Sequence, residues 1–182
     1  DKQSHPDTSI LMGADAEQKS KYFPDGKMEG NVLAFLVKIK GREILFDAGL
    51  PDGRIAAELK KNGRAAGDVK TILLTHLHRD HYGGLVDASG KAAFPNAAVY
   101  VSRAERAYWV DEKKDVNVIH ALAQYAGRVH EFEPGDKVMP GVKALVTSGH
   151  TPGHVSFLLK NGRETLLILG DLIHFPRIQL PL

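Results

Sequence analysis

A chain of 182 residues, 43% hydrophobic and 25% charged, suits one compact domain with a sizeable core and argues against collagen-like, coiled-coil and disordered readings. Lys and Arg number 24 against 22 Asp and Glu, a formal charge of +2 scattered singly or in pairs, so charge gives no case for a nucleic-acid groove or a membrane-surface patch. The absence of cysteine removes disulfides, thiolate zinc sites, iron-sulfur clusters and cysteine nucleophiles together, and leaves nine histidines as the source of metal chemistry.

Residues 1–30 are polar and broken by Pro6, Gly13, Pro24, Gly26 and Gly30, which predicts an irregular arm whose Tyr22 and Phe23 line a pocket or cap the core. Asp1 in place of Met predicts a processed or trimmed start, and no charged-then-apolar leader opens the chain. The compartment stays open. From Val32 the apolar runs VLAFLVKI and EILFDAG flank Lys40-Gly41 and predict a hairpin. A helix over 54–62 ends at Gly63 as its left-handed stop, and 71–75 (TILLT) forms a short buried strand. Residues 98–102 predict another strand, and Ser102 with Glu105 has the capping-box spacing that opens a helix through Tyr108 and Trp109. A helix over 117–127 and strands over 129–132 and 142–147 follow, and then a second hairpin with Asn161-Gly162 at its turn. Residues 35–49 and 157–171 read alike: strand, Gly-Arg-Glu turn, strand, and an Asp beside a Gly. Either hairpins simply look alike, or the fold has two similar halves. Alternating strands and helices without a cofactor-type glycine fingerprint predict an α/β (α+β) architecture with helices outside packed sheets.

The chemistry concentrates in His76-Leu77-His78-Arg79-Asp80-His81, three imidazoles and a carboxylate directly after a buried strand and before Gly83-Gly84. In an extended segment His76 and His78 point the same way, while Asp80 and His81 lie on the turn that follows, so one loop can serve two neighbouring metal positions. Imidazole nitrogen and carboxylate oxygen suit zinc, iron, manganese, nickel or cobalt, with zinc favoured by usage. His76 and His78 give one ion two contacts, and more ligands are needed. His150 in SGHTPGH and Asp171 in LILGD both stand where a strand hands over to a loop.

With LFDAG, LTHLHRDHYGGL, SGHTPGHVSFLL and LILGDLIH in this order, the sequence from Val32 onward resembles the metallo-β-lactamase fold superfamily of metal-dependent hydrolases. The resemblance implies a four-layer αββα sandwich of two similar halves over 31–182, with 1–30 as an arm. It implies that His76, His78 and His150 hold one divalent metal ion, that Asp80 and His81 hold a second, and that Asp171 bridges the two. Asp47 would orient the ligand loop, as metal-bound imidazoles commonly require. His154 is read as a supporting residue and not a ligand. The family supplies one further histidine well downstream of the position of Asp171, and His174 lies too close to take its place. The expectation is therefore a sandwich lacking part of its C-terminal half, whose second site is completed by a missing continuation or another chain, or is weak. His5, His120 and His130 have no partner pattern and are expected on the surface or on helices. Tyr82 offers either a phenol to a substrate oxygen or a packing role, and Trp109, Phe175 and Phe23 are either pocket wall or ordinary core.

Two divalent ions about 3.5 to 4 Å apart share a water whose pKa falls to about 7, which predicts metal-assisted hydrolysis with a hydroxide nucleophile and with Asp80 and Asp171 as the catalytic carboxylates. The tail GDLIHFPRIQLP and the HLHRDHYGG variant are similar to the branch of lactone-cleaving quorum-quenching enzymes and methyl parathion hydrolase-like enzymes. A lactone or ester is thus the expected small-molecule substrate, with phosphotriesters as a side activity. A β-lactam or glutathione thioester, an iron-dependent redox role and a partner-dependent fragment remain as alternatives. Neither nucleic acid nor membrane is an expected partner, and a homo-oligomer is one way to complete the site.

Overall fold

The structure, a computed structural model, describes residues 2–5, 8–11 and 13–180. Its contacts divide the described residues into two units, one from Asp1–Leu33 with Ile173–Leu182 and one from Ala34–Leu172. In the first unit β1 (Lys2–His5) pairs antiparallel with β2 (Met28–Asn31), and α1 (Ala16–Tyr22) lies between them in sequence. The segment expected to be irregular thus carries regular elements. Asp15 caps α1, its carboxylate accepting from the Gln18 N–H at 2.7 Å while the Gln18 side chain accepts from the Asp15 N–H at 3.1 Å. The Pro and Gly breaks around this capping box masked it in the sequence. Phe23 packs edge to face on Phe175 within this unit, 5.8 Å between ring centres. The side chain of His5, and residues 181 and 182 of the PRIQLPL tail, lie outside the described residues.

In the second unit β3 (Phe35–Ile39) and β4 (Arg42–Phe46) form the expected hairpin, turning through Lys40 and Gly41, both left-handed. α2 (Arg54–Lys61) ends where expected, with Gly63 at φ 71°. The chain continues through β5 (Thr71–Leu73), the single turn α3 (Arg79–Tyr82), β6 (Ala98–Ser102), α4 (Arg103–Arg106), α5 (Val116–Ala123) and β7 (Val129–Phe132). β8 (Val142–Val146), β9 (Val155–Asn161) and β10 (Glu164–Ile168) complete it. The β9–β10 turn uses Gly162 and Arg163, one residue later than expected, because Asn161 still pairs with Glu164.

One mixed sheet has the order β3-β4-β5-β6-β7, antiparallel at β3/β4 and parallel elsewhere; the other is antiparallel, β10-β9-β8. Strand periodicity sorts the core into two clusters. Leu45, Ile72, Leu74, Val99 and Val101 meet Leu59, Val118, Ala121 and Leu122 from the helices. Ile44, Phe46, Leu73 and Phe132 meet Val142, Ala144, Phe157, Leu159 and Ile168 between the sheets. Among the described residues of this unit the layers are helices, five-stranded sheet and three-stranded sheet. Leu166 and Leu167 of β10 are exposed, and the helices of the unit contribute nothing to the inter-sheet cluster. The parallel strands β4, β5 and β6 end at one edge, which places the residues after them together.

Candidate metal centre

β4 delivers Asp47 to this edge, in a left-handed conformation at φ 58° that Asp tolerates better than most residues. Its buried carboxylate binds the end of β5: Thr75 N–H donates to Oδ1 at 2.8 Å and the Thr75 hydroxyl to Oδ2 at 2.9 Å. Oδ2 also accepts from His81 Nδ1 at 2.8 Å. That bond puts a proton on Nδ1 and turns Nε2 of His81 outward, 3.1 Å from Asp171 Oδ1 and 3.8 Å from Asp80 Oδ2. With the Thr75 hydroxyl proton committed to Asp47, His76 Nδ1 donates to Thr75 Oγ1 at 3.0 Å and its Nε2 lone pair faces the cluster.

His76 Nε2 stands 3.1 Å from His78 Nδ1, which stands 2.8 Å from His150 Nε2. Asp171 Oδ2 lies 3.3 Å from that His150 nitrogen and 3.9 Å from His76 Nε2. One proton on His78 Nδ1 can serve one of its two imidazole neighbours, so lone pairs converge here in the way that suits a cation. Two groups of side chains can each hold a metal ion, His76, His78, His150 and Asp171 in one and Asp80, His81 and Asp171 in the other, with the donor atoms of each group within 4.8 Å of one another. The structure therefore gathers all six residues singled out from the sequence, from three loops, and Asp171 belongs to both groups.

The electrostatics fit this donor set. Burial, then the neighbouring His81, holds His76 far below the usual histidine range, so its ring is neutral. Burial, then His150, lowers His78 as well. Burial opposes the charged form of His81, but the summed pull of Asp47 and Asp171 overcomes it and raises this residue to about 10. In the metal-free protein a proton on His81 offsets the local carboxylates, and a cation bound there takes over that role.

The supporting residues are equally specific. His154 Nε2 accepts from the Asp171 N–H at 3.0 Å and Nδ1 donates to the Thr147 carbonyl at 3.1 Å, so both nitrogens are used in fixing the Asp171 backbone. Gly170 is left-handed at φ 58°, and a Cβ there would come within 2.7 Å of His154 Nε2. Gly84 donates its N–H to Gly49 O at 2.9 Å and leaves no room for a side chain against Ala48, which presses the HLHRDH turn onto the Asp47 loop. Trp109 packs edge-on against His78, ring centres 5.5 Å apart. Tyr82 is buried in the helix-side core. His120 bonds the Gly90 carbonyl at 3.0 Å and His130 packs tilted against Tyr100, both outside the cluster.

Sequence reasoning missed Glu105. Its N–H is capped by Ser102 Oγ at 3.2 Å as the spacing predicts, but its carboxylate turns inward and is fully buried. No local signal marks it, because the groups it binds are far away in sequence.

The family model described as the metallo-beta-lactamase superfamily matches residues 28–181. The chain belongs to this superfamily. An N-acyl homoserine lactonase from Bacillus cereus is 32% identical over 164 residues, 76% of this chain and 62% of that enzyme. Among solved structures, hydrolase AbOPH of the beta-lactamase superfamily superposes with a TM-score of 0.75 at 36% identity, covering 87% of this chain and 62% of that one. AidC, a dizinc quorum-quenching lactonase solved with a product, gives a TM-score of 0.82 at 25% identity over 95% of this chain and 69% of that one. The chain thus spans 62% of the length of the curated lactonases it matches.

Proposed function

We propose that this chain carries the metal centre of a hydrolase that opens a lactone or a related ester, with an N-acyl homoserine lactone as the first candidate substrate. The observation that carries the proposal is the convergence of His76, His78, His150 and Asp171 with Asp80, His81 and Asp171 around shared space. In this reading His76, His78 and His150 hold one divalent ion, zinc by preference, Asp80 and His81 hold a second, and Asp171 contacts both. The placement of Asp171 supports the bridging role, since Oδ1 faces His81 and Oδ2 faces His150 and His76. Divalent ions held by these residues would supply a nucleophile at neutral pH, by lowering the pKa of water to about 7, and would polarise the carbonyl under attack. Asp47 fixes the tautomer and aim of His81, and the Thr75 hydroxyl does the same for His76. Asp80, the most exposed carboxylate of the pair that it forms with Asp171, is placed to take up a proton from the attacking water or return one to the leaving oxygen.

The lactone preference is supported by the relatives: the Bacillus cereus enzyme is an N-acyl homoserine lactonase and AidC is a dizinc lactonase. The test is a hydrolysis screen of the full-length protein against N-acyl homoserine lactones, aryl esters, phosphotriesters, β-lactams and glutathione thioesters, before and after chelation. Lactone opening that is lost with chelator and regained with zinc, cobalt or manganese is the expected outcome. Turnover that survives metal removal would contradict the metal reading. Metal-dependent turnover confined to another substrate class would keep the centre and discard the lactone.

A further inference from the structure

The carboxylate of Glu105 is fully buried and accepts four hydrogen bonds, all from neutral donors. Oε1 accepts from the Leu77 N–H at 2.9 Å and from Trp109 Nε1–H at 2.7 Å; Oε2 accepts from the Thr151 hydroxyl at 2.7 Å and from the Gly153 N–H at 2.9 Å. Leu77 stands between His76 and His78, and Thr151 directly follows His150. We propose that Glu105 is a positioning residue that fixes the separation of the His76/His78 loop from the His150 loop, so that the three imidazoles are prearranged for one ion. This inference rests on the metal-centre reading above.

Ordinary helix capping does not account for the arrangement, because the side chain points away from the backbone of its own N-cap and towards segments 28, 46 and 48 residues distant. Core packing does not account for it either. A buried carboxylate carries a large desolvation cost that filling space alone gives no reason to incur. What an apolar residue cannot do is bind two loops at once, and a carboxylate that accepts from four donors is the group that can. A second observation points the same way. Ser102 Oγ donates to the Gly153 carbonyl at 2.6 Å, and Gly153 sits so close to the backbone of Glu105 that any Cβ there would overlap it. The start of α4 is thus a seat for the His150 loop, and Glu105 ties the His76/His78 loop to the same seat.

The test is metal binding, followed in the full-length metal-free protein by cobalt and zinc titration with the fluorescence of Trp109, the single tryptophan, as the signal. E105Q keeps the size of the side chain but presents donors to one pair of partners that need an acceptor. Its affinity at the tighter site should fall about 10- to 100-fold, the range seen when groups that orient metal ligands are removed. T151V, which deletes one of the four bonds, should weaken binding several-fold, and T151S, which keeps the hydroxyl, should restore it. L122A, a truncation in the helix-side core, should lower the melting temperature of the metal-free protein and leave metal affinity at the wild-type value. Wild-type affinity in both E105Q and T151V would overturn the proposal, as would a loss in L122A equal to that in E105Q. If E105Q does not fold, the T151V and T151S pair decides. A wild-type protein that takes up no metal would overturn the metal reading itself and this inference with it, whereas tight wild-type binding with unaffected variants would remove only the role of Glu105.

Discussion

The hairpin β3–β4 delivers Asp47, itself left-handed at φ 58°, and the hairpin β9–β10 delivers Asp171, which follows the left-handed Gly170 at φ 58°. The two carboxylates then diverge. The Asp47 side chain is 5% exposed and spends its lone pairs on Thr75 and His81; that of Asp171 is 19% exposed and turns both oxygens towards imidazole nitrogens of the cluster. The backbone explains the difference. The N–H of Asp171 is held by His154 and its carboxylate is aimed at the cluster, while Asp47 closes over the end of β5. Similar hairpins can therefore supply one residue that orients ligands and one that acts as a ligand.

Substitutions can break or sharpen this contrast. The largest effect is expected from H76A and H150A, which should lose bound metal and reduce kcat/KM by about a thousandfold or more, the equivalent of several kcal/mol of metal-supplied stabilisation. D171N should approach that loss, since it touches both donor groups. D47N should fall short of it, with metal affinity reduced about 10- to 100-fold, because its effect passes through His81 and Thr75. Metal analysis and steady-state kinetics on the two Asn variants separate the roles, and equal losses in both would erase the distinction. G170A, which forces a Cβ against His154 and Thr75 at a left-handed position, should cost about 1 to 3 kcal/mol in thermal or urea unfolding. The smallest effect belongs to H120A: it gives up one exposed hydrogen bond, so stability should change by about 1 kcal/mol or less, with metal content and turnover unchanged.

The sequence made the donor set readable because three imidazoles and a carboxylate crowd the six residues 76–81 just after β5, while His150 and Asp171 stand a few residues past β8 and β10. The repeated hairpin was also legible, down to Lys40-Gly41, while the second turn slipped by one residue because Asn161 stays in register with Glu164. Glu105 was not legible. Ser102 and Glu105 form a local pattern that half-fulfils a capping box, and only the arrival of Leu77, Thr151 and Gly153 from distant loops makes its carboxylate a buried acceptor. α1 escaped notice for the opposite reason: its capping signal, Asp15 with Gln18, is local and intact but sits among glycines and prolines that read as breaks.

The most direct measurement is anomalous scattering at the zinc edge from crystals of the zinc-loaded full-length protein. The account predicts two peaks, one within bonding distance of His76, His78 and His150 and one beside Asp80 and His81, with Asp171 reaching both. A peak elsewhere, or none, with these side chains left uncoordinated, would contradict it.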